Sequence, residues 1–478
     1  MRRSRMPPQL RLGPLSRLYE KDVPASLENC HNVDSAAPLA ARPLPNIKSK
    51  DSSIPLVILE TIIEAYEARM FPVWPVIGTE TLLQLLRTGE CGDAYVAATA
   101  LCAATMAQLL LPPMIVQDRT FTGQEIEKEC TRARAFCDYR ERPDLYAVLT
   151  SFFLHVYHAK VDNQNSALLY IQEAIVLARL LRLDDDELQC SEKDFEGLAN
   201  GKVIYLLLWV TERYTICPKS IAEGFAESKD RGYAVQYGLP ISLHHTVSLS
   251  SIQSHKGGTC IQGLVNLASL FVIFDSSSIP QFSRYKEFPV SKEQLVTLEG
   301  RFADTPAPLK HLSVAQQADF LATKSWMQTL LWQQAMCRGF LSSAASCDFM
   351  TFRYPAQVCQ EVLRRIKLFS TEDLIPLGRD QLVKLFEIAN TLADTILCNP
   401  QLAKRSTGEL GPPDYLHGLY QFISPMLELD GVFDSMLRQK TAEILLRAPT
   451  RFWQLDHSTS SENEGAIENV VGIGGTVI

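Results

Sequence analysis

Residues 144–183 read DLYAVLTSFFLHVYHAKVDNQNSALLYIQEAIVLARLLRL, and this stretch decides the fold. Its apolar positions return at three- and four-residue steps, the period of one face of an α-helix, with no sustained alternation of the kind a half-buried strand requires. The spacing predicts two helices, over residues 144–161 and 166–183, with Asn165 as the N-cap of the second because its short side chain can accept from an unpaired first-turn N–H. On that second helix the Ala174/Ala178 and Leu177/Leu181 spacings suit close packing against a neighbour. Two helices in succession suggest a tetratricopeptide-type repeat. No self-similarity at a fixed period continues along the chain, so a solenoid is the lesser reading.

The helical period extends in both directions. Toward the N-terminus Leu56, Leu59, Ile62, Ile63 and Tyr66 form one apolar face that ends near Arg69. The run Phe71-Pro72-Val73-Trp74-Pro75-Val76-Ile77 is expected to be extended, since each proline disfavours helix at the residue before it. Further helices are expected over residues 79–86, 93–111 and 123–136, and beyond the opening pair over 201–214, 264–274, 313–341, 355–369, 379–397, 413–427 and 432–447. Ser370 followed by Asp373 has the spacing of a capping box, with Asp in place of Glu. Few runs alternate with period two, so a sheet is not needed. The expected fold class is all-α, a large domain of packed helical hairpins over residues 53–450. A flexible, disordered leader (1–52), rich in Pro, Ser, Ala and Asn, and a polar, disordered tail (451–478) are expected to flank it.

Composition bounds the function. The chain has 478 residues, 46% of them apolar and 21% charged, which is enough to build a core and argues against a mostly disordered polypeptide. Its net charge of −8 supplies no global field for a polyanion, so DNA binding would need a local basic patch; only Met1-Arg2-Arg3-Ser4-Arg5 is locally basic. Twelve cysteines at irregular spacings, several in apolar stretches such as those of Cys102 and Cys337, read as small buried hydrophobes of a reduced, intracellular protein. No apolar h-region opens the chain, which argues against secretion. The uncharged run Ala94 to Gln117 is long enough for a membrane span. It is rich in Ala and Thr and broken by Pro112-Pro113, so a buried helix of a soluble domain is the expectation, with no membrane partner.

Candidate chemistry is sparse. His155 and His158 share one helix face, with Asp162 a turn further on, an arrangement that could offer three metal ligands. Phe152, Phe153, Leu154, Val156 and Tyr157 surround them, and packing accounts for them better than metal binding. His244-His245 point apart on any regular backbone and read as loop residues. Gly472-Ile473-Gly474-Gly475 opens no helix and is rejected as a phosphate cradle. No phosphate-binding loop and no nucleophile elbow occurs. No catalytic, cofactor-binding, metal or DNA-binding residue is assigned, no cofactor is expected, and nothing in the sequence suggests an enzyme.

Several segments resemble the middle homology region of fungal zinc-cluster (Zn2Cys6) transcription factors, in the branch of maltose-utilisation and amylolytic activators and biosynthetic-cluster regulators. They are YEARMFPVWPVI (66–77), AYVAATALCAATMAQL (94–109), ALLYIQEAIVLARLLRL (167–183), LWVTER (208–213), GLPISL (238–243) and residues 315–343, where Gln317-Ala318-Asp319, Thr323, Trp326 and Leu331-Trp332-Gln333 are most distinctive. The resemblance covers roughly residues 55–445 and implies an all-helical regulatory domain acting in the nucleus. It implies partners among other regulatory proteins and a response to a small-molecule effector. The motifs hold no reacting groups; Glu212-Arg213 is expected to pair with a buried partner.

Two departures from the family pattern stand out. A binuclear zinc cluster needs six closely spaced thiolates, whereas Cys30 is the only cysteine before Cys91, so DNA contact is expected to be indirect or to depend on a zinc cluster encoded upstream. Residues 214–231 interrupt what would otherwise read continuously from Glu212 into Arg231-Gly232-Tyr233, and are expected to be an insertion, in one version a retained intron. Three functional readings follow: a transcription regulator of a metabolic or secondary-metabolite gene cluster without its own zinc cluster; a helical scaffold or co-regulator that never touches DNA; and an enzyme accessory or helical enzyme, which would need a convergent set of titratable groups that the sequence does not show.

Overall fold

The computed structural model describes residues 54–89, 92–185, 200–216, 242–243, 248–249, 252, 258–275, 290–306, 311–403, 410–427 and 431–447. They lie within one compact unit, Pro45–Ile478. The leader, the tail, residues 217–231 of the expected insertion, Cys30, Cys91, His244-His245 and Gly472-Ile473-Gly474-Gly475 fall outside the described residues.

The all-α expectation holds, with one small exception. The elements are α1 (Leu56–Ala65) running into a π-helical turn (Tyr66–Met70), α2 (Thr79–Thr88), α3 (Gly92–Leu109), strands β1 (Met114–Val116) and β2 (Arg119–Phe121), α4 (Gly123–Arg134), α5 (Leu145–Lys160) and α6 (Gln164–Leu180). There follow α7 (Gly201–Ile216), α8 (Gly258–Asp275), α9 (Lys292–Asp304), α10 (Val314–Cys337), α11 (Tyr354–Ile366), the short α12 (Thr371–Leu374), α13 (Gly378–Cys398), α14 (Pro412–Leu427) and α15 (Gly431–Arg447). In the first half α3 packs on α4 and α5, and α5 on α6; in the second α10 packs on α11 and α13, and α13 on α14 and α15. Helix α7 joins the halves by touching α5, α6 and α8.

Local sequence chemistry starts several of these helices. Thr122, Ser291, Ser313 and Ser370 each close a full capping box, with Glu125, Gln294, Gln316 and Asp373, so the shorter Asp373 carboxylate serves where Glu is usual. Asp144 caps α5 by accepting from the Ala147 N–H at 2.7 Å. The uncharged run divides as its composition predicts: α3 is buried over most of its length, Leu110 ends it in the left-handed region (φ 53°), and Pro112-Pro113 lead into the hairpin. The one described helix long and apolar enough to cross a membrane is α8, which packs against α7, α9 and α10.

Four expectations need correction. A two-stranded antiparallel hairpin exists, pairing Met114 with Phe121, and Gln117 and Asp118 turn it at φ 50° and 60°; three-residue strands are too short to show a period. Residues 71–73 are not extended. Phe71 stays in the right-handed helical region and its N–H reaches Tyr66 O at 2.8 Å, five residues back. That wider π turn takes the chain off the path on which the Pro72 ring would strike the carbonyl four residues earlier. Helix α6 starts two residues early, with Asn163 rather than Asn165 at the N-cap, and the Asn163 side chain turns instead to His158. Cys102 is buried as expected, but Cys337 is exposed at the end of α10. Helix α9, polar on most of its surface, was not anticipated.

Candidate functional site

Glu212-Arg213 of α7 and Asp319, Thr323 and Gln333 of α10, which the sequence singled out, meet polar partners that include groups on α8 and α13. On α7, the Glu212 carboxylate accepts the backbone N–H groups of Ser242 (2.7 Å) and Leu243 (2.9 Å). Its neighbour Arg213 is the more deeply engaged. Its Nε and Nη2 donate to Asp275 Oδ2 at 2.8 and 2.5 Å, Nη2 also to Leu243 O, and the guanidinium lies 3.5 Å over the Trp209 ring. Burial lowers the Arg213 pKa and Asp275 opposes that shift. The charged partner is therefore Asp275 on α8, which pairs with Arg213 alone and lies at the surface rather than buried as expected. Together the two side chains fasten residues 242–243 to α7, and Arg213 ties α7 to α8.

One residue further along, Tyr214 enters a second cluster. Its hydroxyl lies 3.0 Å from Thr323 Oγ1 and donates to Asp319 Oδ1 at 3.4 Å, both on α10. From α13, Lys384 Nζ donates to Asp319 Oδ1 (2.9 Å) and Thr323 Oγ1 (2.7 Å) and sits 4.0 Å from the centre of the Tyr214 ring. Burial, then the Asp319 charge, raises the Tyr214 pKa, so its phenol remains protonated. Nearby, Gln333 of α10 donates to Glu387 (2.6 Å) and Thr391 (2.8 Å) of α13. Buried charges of this kind are stable only with their partners in place.

The other side of α10 borders a cleft of about 370 Å³, walled also by the end of α9 and by α11. Phe320, Leu321 and Phe369 form its apolar part. Lys324 reaches across to donate to Thr305 O at 3.0 Å and Ala303 O at 3.5 Å, at the carbonyl end of α9. Desolvation and the nearby Arg365 charge depress its pKa. Arg365 and Arg364 are both ion-paired with Glu361.

The histidine face is occupied by protein partners. His155 Nδ1 is 2.9 Å from Ala167 O, and burial lowers its pKa. His158 stacks on Tyr170 at 5.2 Å, with Asn163 on Nδ1 and Glu127 3.6 Å from Nε2. Asp162 turns away, in a left-handed conformation that lets it accept from Gln164. Among the described residues no group of three His, Cys, Asp or Glu side chains is placed to hold a metal. The sequence reading missed Lys384 and Lys324. The available signal for the first was a lone lysine in the apolar run Leu382-Val383-Lys384-Leu385-Phe386, since an isolated charge at an inward position needs a partner.

No family model matches the chain, and no solved structure matches it at a significant level. Among curated proteins, a probable sucrose utilization protein of Candida albicans is 26% identical over 353 residues, covering 71% of this chain and 64% of that protein. A maltose fermentation regulatory protein of Saccharomyces cerevisiae is 22% identical over 412 residues (82% of this chain, 77% of the relative), and a respiratory transcription factor of the same yeast is 21% identical over 400 residues (80% and 78%). The chain thus spans less than two thirds of the Candida relative. Its homologues are fungal regulators of sugar use and respiration, in line with the fungal transcription factor family that the sequence resembles.

Proposed function

We propose that this chain is a nuclear transcription regulator of a fungal metabolic gene set, either a carbohydrate-utilisation set or a biosynthetic cluster, and that the helical domain carries the regulatory half of the task. The observation that supports this most is the length of the match to a maltose fermentation regulatory protein, 82% of this chain, far more than a single motif would give. The buried α7–α10–α13 cluster supplies no reacting group open to a substrate, which favours regulation over catalysis. DNA contact is assigned to a partner protein or to a zinc cluster outside the helical domain, because a net charge of −8 offers the phosphate backbone no general attraction. A small-molecule effector acting on the helical domain completes the reading.

The test fuses the full chain to a heterologous DNA-binding domain in a fungal cell and reads a reporter gene with and without sugars in the medium. Sugar-dependent reporter output supports the proposal. A silent fusion that is expressed, folded and nuclear overturns it and leaves the scaffold reading, which the acidic charge would suit.

A further inference from the structure

We propose that the cleft between α9, α10 and α11 binds an uncharged, polyhydroxylated small molecule, held between Lys324 and Gln328 of α10 and Glu361 and Arg365 of α11. The regulatory reading above gives this site its biological use, but the binding claim stands on the cleft itself.

Size comes first. A volume of about 370 Å³ falls within the range of small-molecule pockets. Charge then selects the ligand class. Two cations, Lys324 and Arg365, and two carboxylates, Asp304 and Glu361, line the walls. An anion would be drawn to the first pair and repelled by the second, and a cation the reverse, so neither gains a net field. A hydroxyl group both donates and accepts, and can meet ammonium, guanidinium, amide and carboxylate groups alike. The apolar floor of Phe320, Leu321 and Phe369 suits the C–H faces that a ring polyol presents between its hydroxyls.

The site is also held in shape before any ligand arrives. The bonds from Lys324 to Thr305 O and Ala303 O aim the amine along the cleft wall, and the Glu361 bridge to Arg364 and Arg365 steadies the opposite side. Gln328 is fixed by Tyr354 at 3.1 Å and by Glu299 at 3.3 Å. Pre-ordered side chains lose less entropy on binding. Helix α10 carries the cleft on one side and Asp319 and Thr323 on the other, so a ligand that shifts α10 also loads the contacts to Lys384 and Tyr214.

The experiment is isothermal titration calorimetry of the purified full chain with sucrose, maltose, citrate and a sugar phosphate. The expected result is saturable binding of a neutral disaccharide, with affinity reduced at least about tenfold by Lys324→Met and by Phe320→Ala. Urea unfolding of each variant must confirm that it is folded, and the partly exposed Arg365→Gln, expected to weaken binding in the same direction, provides a further variant should Lys324→Met or the buried Phe320→Ala unfold the chain. Tighter binding of citrate or the sugar phosphate, no saturable binding of any neutral sugar, or binding indifferent to all three variants overturns the proposal. If binding fails while the reporter fusion still answers to sugar, this site is wrong and the regulatory reading stands.

Discussion

Lys384 Nζ lies 2.9 Å from the Asp319 carboxylate, with 5% of the lysine side chain and 16% of the aspartate exposed. This pair ties α13 to α10, and the Tyr214 ring above the ammonium adds α7. Removing one member leaves the other charge poorly solvated. Lys384→Met should cost about 3 to 5 kcal/mol, read as a lower urea midpoint, whereas Lys384→Met with Asp319→Leu should recover a large part of that loss. A double variant as unstable as the single one would show that the ion pair is not what joins these helices.

Arg213 makes a sharper demand on residue type. Its planar group bonds Asp275 twice, bonds Leu243 O, and stacks on Trp209. A lysine can supply the charge but neither the fork nor the stacking surface. Arg213→Lys should therefore destabilise by about 2 kcal/mol, close to Arg213→Met, and a thermal melt comparing the three proteins would check it. A lysine variant with wild-type stability would mean that charge alone suffices at this position.

The parts of this architecture that could be read in advance are those set by local periodicity. The α5–α6 pair, the buried Ala-rich α3 and the Ser370 cap follow from spacing alone, because the helical period and the capping-box spacing are local patterns whatever each helix packs against. Lys384 could not be placed, since its partners Asp319, Thr323 and Tyr214 lie 61 residues or more away in sequence. Phe71 departed from its proline-imposed preference because a single π turn, invisible to pattern, changed the geometry before Pro72. The cleft was equally hidden. Its walls come from three helices, one of which, α9, carries too many charges to announce a buried face.

Asp144 should give this fold a pH signature. Burial is the main cause that raises its pKa to about 6, with Asp93 adding to the shift, while its bond to the Ala147 N–H opposes it. Because the folded pKa exceeds the unfolded value of about 4, the folded chain binds the extra proton, and this residue weakens the fold as pH rises from about 4 to about 6. Asp144→Asn keeps an N-cap acceptor without the charge. It should be more stable than the wild type above about pH 6, by on the order of 1 kcal/mol, and the difference should vanish near pH 4. Urea midpoints of the two proteins across that range decide the matter; a constant offset would contradict the assignment.

Gly378 sits at φ 70° and ψ −160°, a region open in practice to glycine alone, where the chain turns from residues 375–377 into α13. A Cβ there would also stand 2.1 Å from Gln108 Nε2, which donates to Pro376 O and so connects α3 to the start of α13. Gly378→Ala thus meets two separate penalties, backbone strain of about 1 to 3 kcal/mol and displacement of a buried amide from its acceptor. The two can be separated. In a Gln108→Ser background the clash is gone, so the same Gly378→Ala change should cost less than in the wild type but still at least about 1 kcal/mol. A cost that falls to zero would place the whole penalty in the side-chain clash, and one that does not fall would place it all in the backbone.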